Sequence, residues 1–511
     1  MTAAARLGAG TKHSIAGATT RARTARQRRL EAADLEQAFG FQTQEANGDQ
    51  ALSPALQYSK GLPHDENGEP QAGAFRALSA AMRSGRIEDF EAVPLGGYVR
   101  LSDPQAAFAY DLIGPDGQQI AIPPPPRFSS AEQAAEMVEM YWRALLRDIP
   151  LDEYDSHPLA AKAAAEMDKL AGYRGPRANG KMTPATLFRG TAEGALAGPH
   201  VSQFLWRDLP WTPIRVPQRI RTAAPKDYVV TEEKWLAVQN GAIVEDTEFA
   251  STPTYIRTGR DLAEYVHRDF TYQAFLGACM MLFKMSAPVD GGIPYQYSVS
   301  QSGFVTFGPS DIFHLVAVVA NIALKAAWYQ KWLVHMRIRP EEYGGRVHKH
   351  LGGIRRYPLH LDLLNSAALE LTRARFGTAL LPLAYPEGAP THPSFPAGHA
   401  VVAGACATVL KACFSESFVI PGPVVPSPDG QSLRPWKGPD LTVGHEVDKL
   451  AWNIALARDF AGLHWRSDHA QGLLLGEAVA INILREMRLV SHELFTGFDL
   501  TRFDQTRITI R

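Results

Sequence analysis

The chain has 511 residues, of which 45% are hydrophobic and 21% are charged, so it can bury a large core and is not an intrinsically disordered protein. Its 52 Lys and Arg residues almost balance its 53 Asp and Glu residues, which excludes a net field that would attract nucleic acid or an anionic membrane. Any anion site must therefore be local.

The first 30 residues are small, polar and basic, and they predict either a flexible tail or an arm used in subunit assembly. Residues 31–511 are predicted to form one helical domain. No apolar segment follows the N-terminal arginines, so no cleavable secretory signal is visible. We therefore expect a cytoplasmic protein, with non-classical export as the open alternative.

Apolar residues at helical spacing recur along most of the chain and predict an all-α fold. The segment Ala131–Leu151, with Met137, Met140 and Tyr141 on one face, is typical. Strand-like alternation is confined to short pieces such as Asp227–Val230, and nothing alternates strands with helices as a doubly wound sheet would. The other predicted helices are Asp261–Met285, Asp311–Met336, Leu361–Arg375, His399–Phe414, Glu446–Phe460 and Ser467–Leu489.

Two further features narrow the class of protein. The most apolar windows, Ile312–Trp328 and Ala400–Phe414, contain polar or charged residues, so neither predicts a membrane span. The three cysteines have no metal-ligand spacing and predict neither a disulfide framework nor a zinc site.

Connections rich in Pro and Gly occupy Ile122–Arg127, Gly172–Pro184 and Pro421–Asp440. The last is long and lies between two segments rich in chemically active residues. It predicts a lid or an entrance wall, and a plain surface insertion is the alternative.

The first segment that carries chemistry is Gln330–Pro340. Lys331 and Arg339 are eight residues apart. In one helix that spacing is about 12 Å, so both cations would reach the same side. Two cations that merely favour a helix C-terminus are the alternative.

The second segment is Thr391–Ala400, a Pro-rich strap that leads through Gly398 into an apolar helix. A helix start offers backbone N–H groups and the positive end of the dipole to an anion. His399 lies on the first turn, where it can act as a general acid/base; an ordinary first-turn histidine is the alternative.

The third segment is Ala457–Asp468. A helix is predicted to end near Arg458, Gly462 breaks it, and Ser467 or Asp468 caps the next helix. His464 then lies on a tight turn between two helices. Arginine offers planar donors to an oxyanion, and a neutral imidazole offers one lone pair to an electrophilic centre.

Together the segments supply three cations, a glycine N–H at a helix start and two histidines. That set fits a tetrahedral oxyanion, and the chain has neither a Walker glycine loop nor a carboxylate cluster for magnesium beside it.

The three segments resemble the signatures of vanadium-dependent haloperoxidases and, more loosely, of acid and lipid phosphatases of the type 2 phosphatidic-acid phosphatase superfamily. The flanking residues resemble the red-algal and cyanobacterial bromoperoxidases in particular. The residues that carry the resemblance are Gln330-Lys331-Trp332, Arg339-Pro340, Thr391-His392, Pro393-Ser394-Phe395-Pro396-Ala397-Gly398-His399, Arg458 and His464, with Met140 to Asp148, Gly198 to Phe204 and Tyr272 to Phe275 outside the site.

The resemblance implies two helix bundles and a vanadate cofactor built into residues 328–340, 392–399 and 458–464. His464 would ligate vanadium, and His399 would be the acid/base. The residues implied to hold the vanadate oxygens are Lys331, Arg339, Arg458 and the Gly398 N–H, and those near the halide are Trp328, His392, Ser394, Phe395 and Ala397.

The implied reaction uses hydrogen peroxide to oxidise bromide or iodide, and chloride weakly, to a hypohalous species that halogenates a small organic acceptor. The resemblance also implies a homodimer or a larger homo-oligomer. The resemblance also implies a structural calcium, which occurs in some relatives, but the sequence does not identify its ligands in this chain.

Two residues depart from the pattern. Ala397 stands where the family usually has serine, which predicts the loss of one hydrogen bond to the oxyanion unless Ser394 or water supplies it. Trp328 stands where the algal bromoperoxidases resembled here usually carry arginine and the fungal chloroperoxidases carry tryptophan, whereas His392 is of the algal type, so the halide preference is open.

Two other functions stay open at this point. One is a soluble phosphatase in which His464 attacks phosphorus and His399 protonates the leaving group. The other is a catalytically weak oligomeric protein that binds an oxyanion, which the Ala397 departure suggests.

Overall fold

The computed structural model describes residues 15–38, 44–211 and 213–511. The fold is predominantly helical, as predicted. Its α-helices are α1 Ile15–Ala38, α2 Ala72–Ser84, α3 Ile87–Glu91, α4 Ala131–Leu146, α5 Pro158–Met167, α6 Glu193–Leu196, α7 Glu232–Gln239, α8 Gly259–Tyr265, α9 Gln273–Lys284, α10 Pro309–Tyr329, α11 Pro340–Leu351, α12 Leu361–Leu364, α13 Ala367–Phe376, α14 Gly398–Cys413, α15 Val443–Phe460 and α16 Arg466–Val490.

Strands are short and occur as antiparallel pairs within the part of the chain that the structure describes. The pairs are β1 Leu209–Trp211 with β2 Ile214–Val216, β3 Val424–Pro426 with β4 Leu433–Pro435, and β5 Phe498–Thr501 with β6 Arg507–Ile510. The predicted strand-like piece Asp227–Val230 forms only a single bridge, between Tyr228 and Leu383.

Helix α14 is the centre of the core, and all of its residues except His399 are buried. It packs on α16, α10 and α15. Small residues allow the close approach to α16: a Cβ on Gly476 would lie 1.9 Å from the Val401 carbonyl oxygen, and one on Gly404 would lie 2.2 Å from that of Leu473. This packing fixes the start of α14 beside the turn that joins α15 to α16.

By length and composition alone, the stretch Pro309–His335 could cross a membrane. However, 56% of its most apolar window is buried inside the protein. A core helix of a helical bundle gives the same signal, and α10 packs on α14 and α16 in that way.

Several predicted helices have different limits. The prediction Asp261–Met285 is wrong as one helix, because the chain breaks between α8 and α9. Leu361–Arg375 is likewise divided into α12 and α13, where Ser366 caps the second helix by accepting from the Leu369 N–H. The prediction Asp311–Met336 ends as an α-helix at Tyr329 and continues as one π-helical segment, Gln330–His335.

Helix α1 occupies residues 15–38, which include residues 15–30 of the predicted tail or assembly arm. The side chains described there, including Arg21 and Arg29, are exposed. The tail and the assembly arm both stay predictions, and residues 1–14 lie outside the described part.

The Pro421–Asp440 connection is not structureless, because β3 and β4 pair within it. Val425 and Trp436 from this hairpin region line a pocket of ≈ 290 Å³ that also contains Arg189 and His200. The hairpin therefore forms a wall of that pocket.

Candidate active site

Lys331 and Arg339 reach one site, but not from one helix as predicted. Lys331 lies in the π-helical segment, and the chain leaves it at Met336, whose φ of 46° is left-handed. Arg339 is extended, with φ −81° and ψ 154°, and precedes Pro340, the first residue of α11. Pro340 therefore starts the next helix and does not end the previous one, which is its common role at a first helical position.

Arg339 is fully buried, and all of its guanidinium nitrogens are engaged. It donates to the carbonyl oxygens of His392 and Leu463, and its Nη1 lies 2.8 Å from Nε2 of His464. Its Nη2 lies 3.0 Å from Nδ1 of His392. Arg339 thus joins the strap, the inter-helix turn and the start of α11.

The strap Pro393–Pro396 is held from two sides. Lys331 donates from Nζ to the carbonyl oxygens of Pro393 at 2.7 Å and Ser394 at 2.9 Å. The Ser394 N–H donates to the Arg337 carbonyl oxygen at 3.0 Å, and its hydroxyl donates to Oδ2 of Asp468. The peptide bond between Phe395 and Pro396 is cis. The Ser394 hydroxyl therefore faces the Nδ1 side of His464 and is not placed to replace the hydroxyl that Ala397 lacks.

The strap ends at Ala397, the N-cap of α14, whose N–H donates to the Asp468 carbonyl oxygen at 3.0 Å. Gly398 is the first helical residue, one position before the predicted start at His399, so its N–H has no acceptor within the helix. A Cβ on Gly398 would lie 3.4 Å from the ring of Trp328, which therefore covers this helix start.

Arg458 lies in the last turn of α15, as predicted, and is 7% exposed. Its Nη1 donates to the Val266 carbonyl oxygen at 2.9 Å. Its Nε is buried and has no hydrogen-bond partner among the described residues. A buried donor of this kind is costly unless a ligand accepts from it.

The electrostatics of the site favour an anion. Burial lowers the pKa of Lys331 well below its ordinary value, and the charges of Arg339 and Arg458 lower it further. Burial also lowers the pKa of Arg339 to about 10. None of these three side chains forms a salt bridge within the described residues, so an anion among them would favour the charged form of Lys331.

His464 lies after Gly462, whose φ of 91° forms the turn between α15 and α16. Its Nδ1 lies 2.8 Å from Oδ2 of Asp468, which accepts a hydrogen bond from Nδ1–H and so fixes that tautomer. Burial, followed by the charge of Arg339, lowers the pKa of His464 well below its ordinary value. The ring is therefore neutral, and its Nε2 lone pair faces the cations.

Asp468 has more roles than the predicted cap. It is the third residue of α16, and its carboxylate accepts from the Trp465 N–H at 3.1 Å, so the predicted cap is made by Asp468 and not by Ser467. Its Oδ1 lies 2.7 Å from Nη1 of Arg337, which balances its charge. The pairing of Asp468 with Arg337 depends on the tertiary fold and is not visible in the sequence. By contrast, Asp468 lies four residues after His464, and this spacing is a signal in the sequence that the two side chains can pair.

His399 projects from the first turn of α14, and its Nε2 lies 2.9 Å from Oδ1 of Asp269. The side chain is 18% exposed, whereas that of Asp269 is 3% exposed. Asp269 lies between α8 and α9, and no sequence pattern singles it out. Since the carboxylate accepts from Nε2–H, Nδ1 is left as the acceptor of His399.

The remaining predicted residues divide into two groups. Trp328 and His392 lie side by side, with ring centroids 4.8 Å apart, and the Lys331 Nζ is 6.0 Å from the Trp328 ring. Phe395 is fully buried and contacts His335 edge-on at 4.8 Å, so it packs behind the strap.

Helix starts, buried unpaired cations and a neutral histidine with a fixed tautomer define an oxyanion-binding enzyme built on a helical bundle. Residues 311–492 match the family model described as the VCPO second helical-bundle domain. The chain is 36% identical to the vanadium-dependent bromoperoxidase of Ascophyllum nodosum over 91% of this chain and 89% of that protein. It is 34% identical to that of Corallina officinalis over 96% of this chain and 98% of that protein.

A solved structure, the homohexameric second vanadate-dependent bromoperoxidase of Ascophyllum nodosum, superposes with a TM-score of 0.88 at 30% identity, over 99% of this chain and 93% of that chain. The chain belongs to the vanadium-dependent haloperoxidase family. Brown-algal and red-algal relatives are about equally similar, so these identities do not single out the red-algal branch.

Proposed function

We propose that this chain binds vanadate and uses hydrogen peroxide to oxidise bromide and iodide. The observation that carries the proposal is the buried group of three cations without carboxylate partners, arranged around the Nε2 atom of a neutral His464. An oxyanion that also offers an electrophilic centre satisfies both features.

The residues of the site offer hydrogen-bond donors for the oxygens of vanadate and one ligand nitrogen for its metal. The orphan Nε of Arg458, the third Nζ proton of Lys331 and the Gly398 N–H are free to donate to oxyanion oxygens. His464 is the proposed ligand, through Nε2. Arg339, which lies 2.8 Å from that atom, would then donate to an oxyanion oxygen. Bound vanadate supplies a Lewis acid that activates peroxide.

The chain itself supplies the proton chemistry. Asp269 holds Nε2–H of His399, which leaves Nδ1 to take a proton from incoming peroxide and to return it later. The partial exposure of the ring makes it accessible to a small substrate. Asp468 meanwhile keeps Nδ1–H of His464 in place, so the ligand nitrogen never has to lose a proton.

The proposed halide pocket lies at Trp328 and His392. The indole N–H of Trp328 donates to the Ser102 carbonyl oxygen at 3.1 Å, so the ring is held in place and excludes water above Gly398. We propose efficient oxidation of bromide and weaker oxidation of chloride. Trp328→Arg, which adds charge and solvent, is expected to lose the chloride activity.

Steady-state bromination of monochlorodimedone, with and without orthovanadate, tests the proposal. Bromination that needs both vanadate and peroxide is expected, and activity that survives vanadate removal would contradict it. Hydrolysis of a phosphate monoester, measured in parallel, reports the phosphatase alternative.

We also propose a homo-oligomer that acts on a small organic acceptor. The superposed relative is homohexameric. Size-exclusion chromatography with light scattering measures the oligomeric state, and a monomer would contradict the proposal.

The structural calcium stays a prediction without an assigned site. Within residues 15–38, 44–211 and 213–511, no group of three or more His, Cys, Asp and Glu residues could hold a metal. The cytoplasmic location expected from the N-terminus likewise stays a prediction.

A further inference from the structure

A second buried cation without a carboxylate partner lies outside the active site. Arg189 is 9% exposed, and its guanidinium donates to the carbonyl oxygens of Ala195, Gly198 and Pro199. Its Nη2 also lies 3.1 Å from Nδ1 of His200. In the part of the chain that the structure describes, it forms no salt bridge. Asp155 and Glu446 act on it only through longer-range charge.

Arg189 and His200 line a small inner cavity of ≈ 20 Å³ with Trp452. The rest of the wall is largely apolar and includes Phe188 and Phe460. A cavity of this size holds about one particle of the size of water.

The polar atoms left over around the inner cavity are all donors. Nε of Arg189, Nε2 of His200 and Nε1 of Trp452 are buried and have no hydrogen-bond partner among the described residues. Arginine can only donate, so Nδ1 of His200 accepts from it and Nε2 carries the proton of the neutral ring. Indole nitrogen also only donates.

The remaining amide in the wall is satisfied. Asn453 donates from Nδ2 to the His200 carbonyl oxygen and accepts at Oδ1 from the Ser202 N–H, both at 2.8 Å. Lys449, also in the wall, donates to Glu446. The Nε2–H of His200 also faces the Leu187 carbonyl oxygen, which leaves Nε of Arg189 and Nε1 of Trp452 as the donors without an acceptor. A water molecule in the cavity would need acceptors for its own two protons, whereas a monatomic anion accepts from both of these donors and balances the charge of Arg189.

We propose that the inner cavity binds a single halide ion, at a site separate from the vanadate site. The outer pocket of ≈ 290 Å³ shares Leu151, Arg189 and His200 with the cavity and opens toward solvent, so it provides a route of entry. The hairpin residues Val425 and Pro426 form part of its wall. Halide binding here needs no turnover, so it does not depend on the activity proposed above.

Crystals of the vanadate-loaded protein grown in sodium bromide, without peroxide, test the proposal by anomalous diffraction at the bromine edge. We expect a bromine peak within hydrogen-bond distance of Arg189 Nε and Trp452 Nε1. Full-occupancy water in the cavity without a bromine signal would overturn it.

A solution measurement uses Trp452→Phe, which removes one N–H and keeps an aromatic ring. The melting temperature should rise saturably with bromide but not with sodium acetate at equal ionic strength, because acetate is too large for the cavity. Loss of one hydrogen bond to an ion should weaken the apparent bromide affinity about tenfold or more in the variant.

The matched control is Trp436→Phe, since Trp436 lines the outer pocket but donates its N–H to the Pro439 carbonyl oxygen. It should keep the parental bromide response. An equal response of the parent to bromide and acetate, or an unchanged bromide affinity in Trp452→Phe, would overturn the proposal. If Trp452→Phe does not fold, the anomalous experiment on the parent still decides it.

Discussion

The two histidines of the active site are each paired with a carboxylate, yet their surroundings differ. His464 is 3% exposed at the side chain, lies on a glycine turn between α15 and α16, and is surrounded by cations. His399 is 18% exposed and lies on the first turn of α14. Its partner Asp269 comes from a loop more than a hundred residues earlier in the chain.

This difference suits the two histidines to different chemical roles. Burial and neighbouring cations keep His464 neutral, and Asp468 fixes its proton on Nδ1, so Nε2 is a permanent lone pair suited to a ligand. The partial exposure of His399 leaves its ring accessible to a small substrate, which suits an acid/base. The two pairs therefore predict different consequences for equivalent mutations.

The largest expected effect is that of His464→Ala. It removes the only proposed protein ligand to vanadium, so halide oxidation should be abolished, while Arg458→Ala should mainly weaken vanadate binding. Bromination assays at increasing orthovanadate measure both variants. Full activity in His464→Ala would show that the ligand has been misplaced.

Asp468→Asn should come next. An amide no longer fixes the proton on Nδ1 of His464 and leaves Arg337 with Glu136 as its remaining carboxylate partner, so vanadate affinity should fall about 10–100-fold. Vanadate titration of bromination activity measures it. The matched control is Asp459→Asn, because Asp459 pairs with His469 in a similar buried contact that holds no proposed ligand. Equal losses in the two variants would indicate a general effect on packing.

Asp269→Asn should lower kcat by about tenfold or more, because His399 loses its oriented Nδ1 acceptor. Vanadate affinity should stay near that of the parent, in contrast to Asp468→Asn. The comparison of kcat with vanadate affinity in the two variants is the measurement. A loss of affinity alone in Asp269→Asn would mean that both histidines serve binding.

A third histidine, which is buried like His464, predicts that the stability of the protein depends on pH. Burial lowers the pKa of His335, which contacts the strap at Phe395, to about 3 from 6.5. Between pH 6.5 and pH 3, His335 is protonated in the unfolded chain but not in the folded protein. The stability that the neutral, buried His335 contributes is therefore fully present above pH 6.5 and is lost as the pH falls.

From pH 7 to pH 5 the loss due to His335 is about 2 kcal/mol. Leucine cannot be protonated. The fall in the free energy of unfolding between pH 7 and pH 5 should therefore be smaller in His335→Leu than in the parent protein, by about 2 kcal/mol. Chemical denaturation of both proteins at the two pH values measures it. The same pH dependence in both would show that His335 is not held neutral.

Ala397→Ser should have the smallest effect. A hydroxyl beside Gly398 should tighten vanadate binding by about 1–2 kcal/mol if it bonds the oxyanion. Serine at an N-cap can instead accept from the N–H groups of α14. A higher melting temperature with unchanged vanadate affinity would therefore show that the new hydroxyl caps the helix.

Most of the site was predictable from short segments. Gly398 at a helix start, Arg458 at a helix end and His464 on a glycine turn follow from local rules, since glycine and cap residues act within a few residues. The prediction for Lys331 and Arg339 had the right residues and the wrong reason. A π-helical segment and a left-handed Met336, neither visible as a pattern, bring them together.

The sequence by itself determined the helical class, the oxyanion chemistry and six residues of the proposed vanadate site, because spacing and residue type carry that information locally. Tertiary structure alone decided which carboxylate backs each histidine, that Ser394 bonds Asp468, and that Trp328 covers Gly398. It also decided that Arg189 is buried with no salt bridge to any carboxylate in the described part of the chain. Those contacts join residues far apart in the chain, and only the packing of α14 against its neighbours brings them within reach.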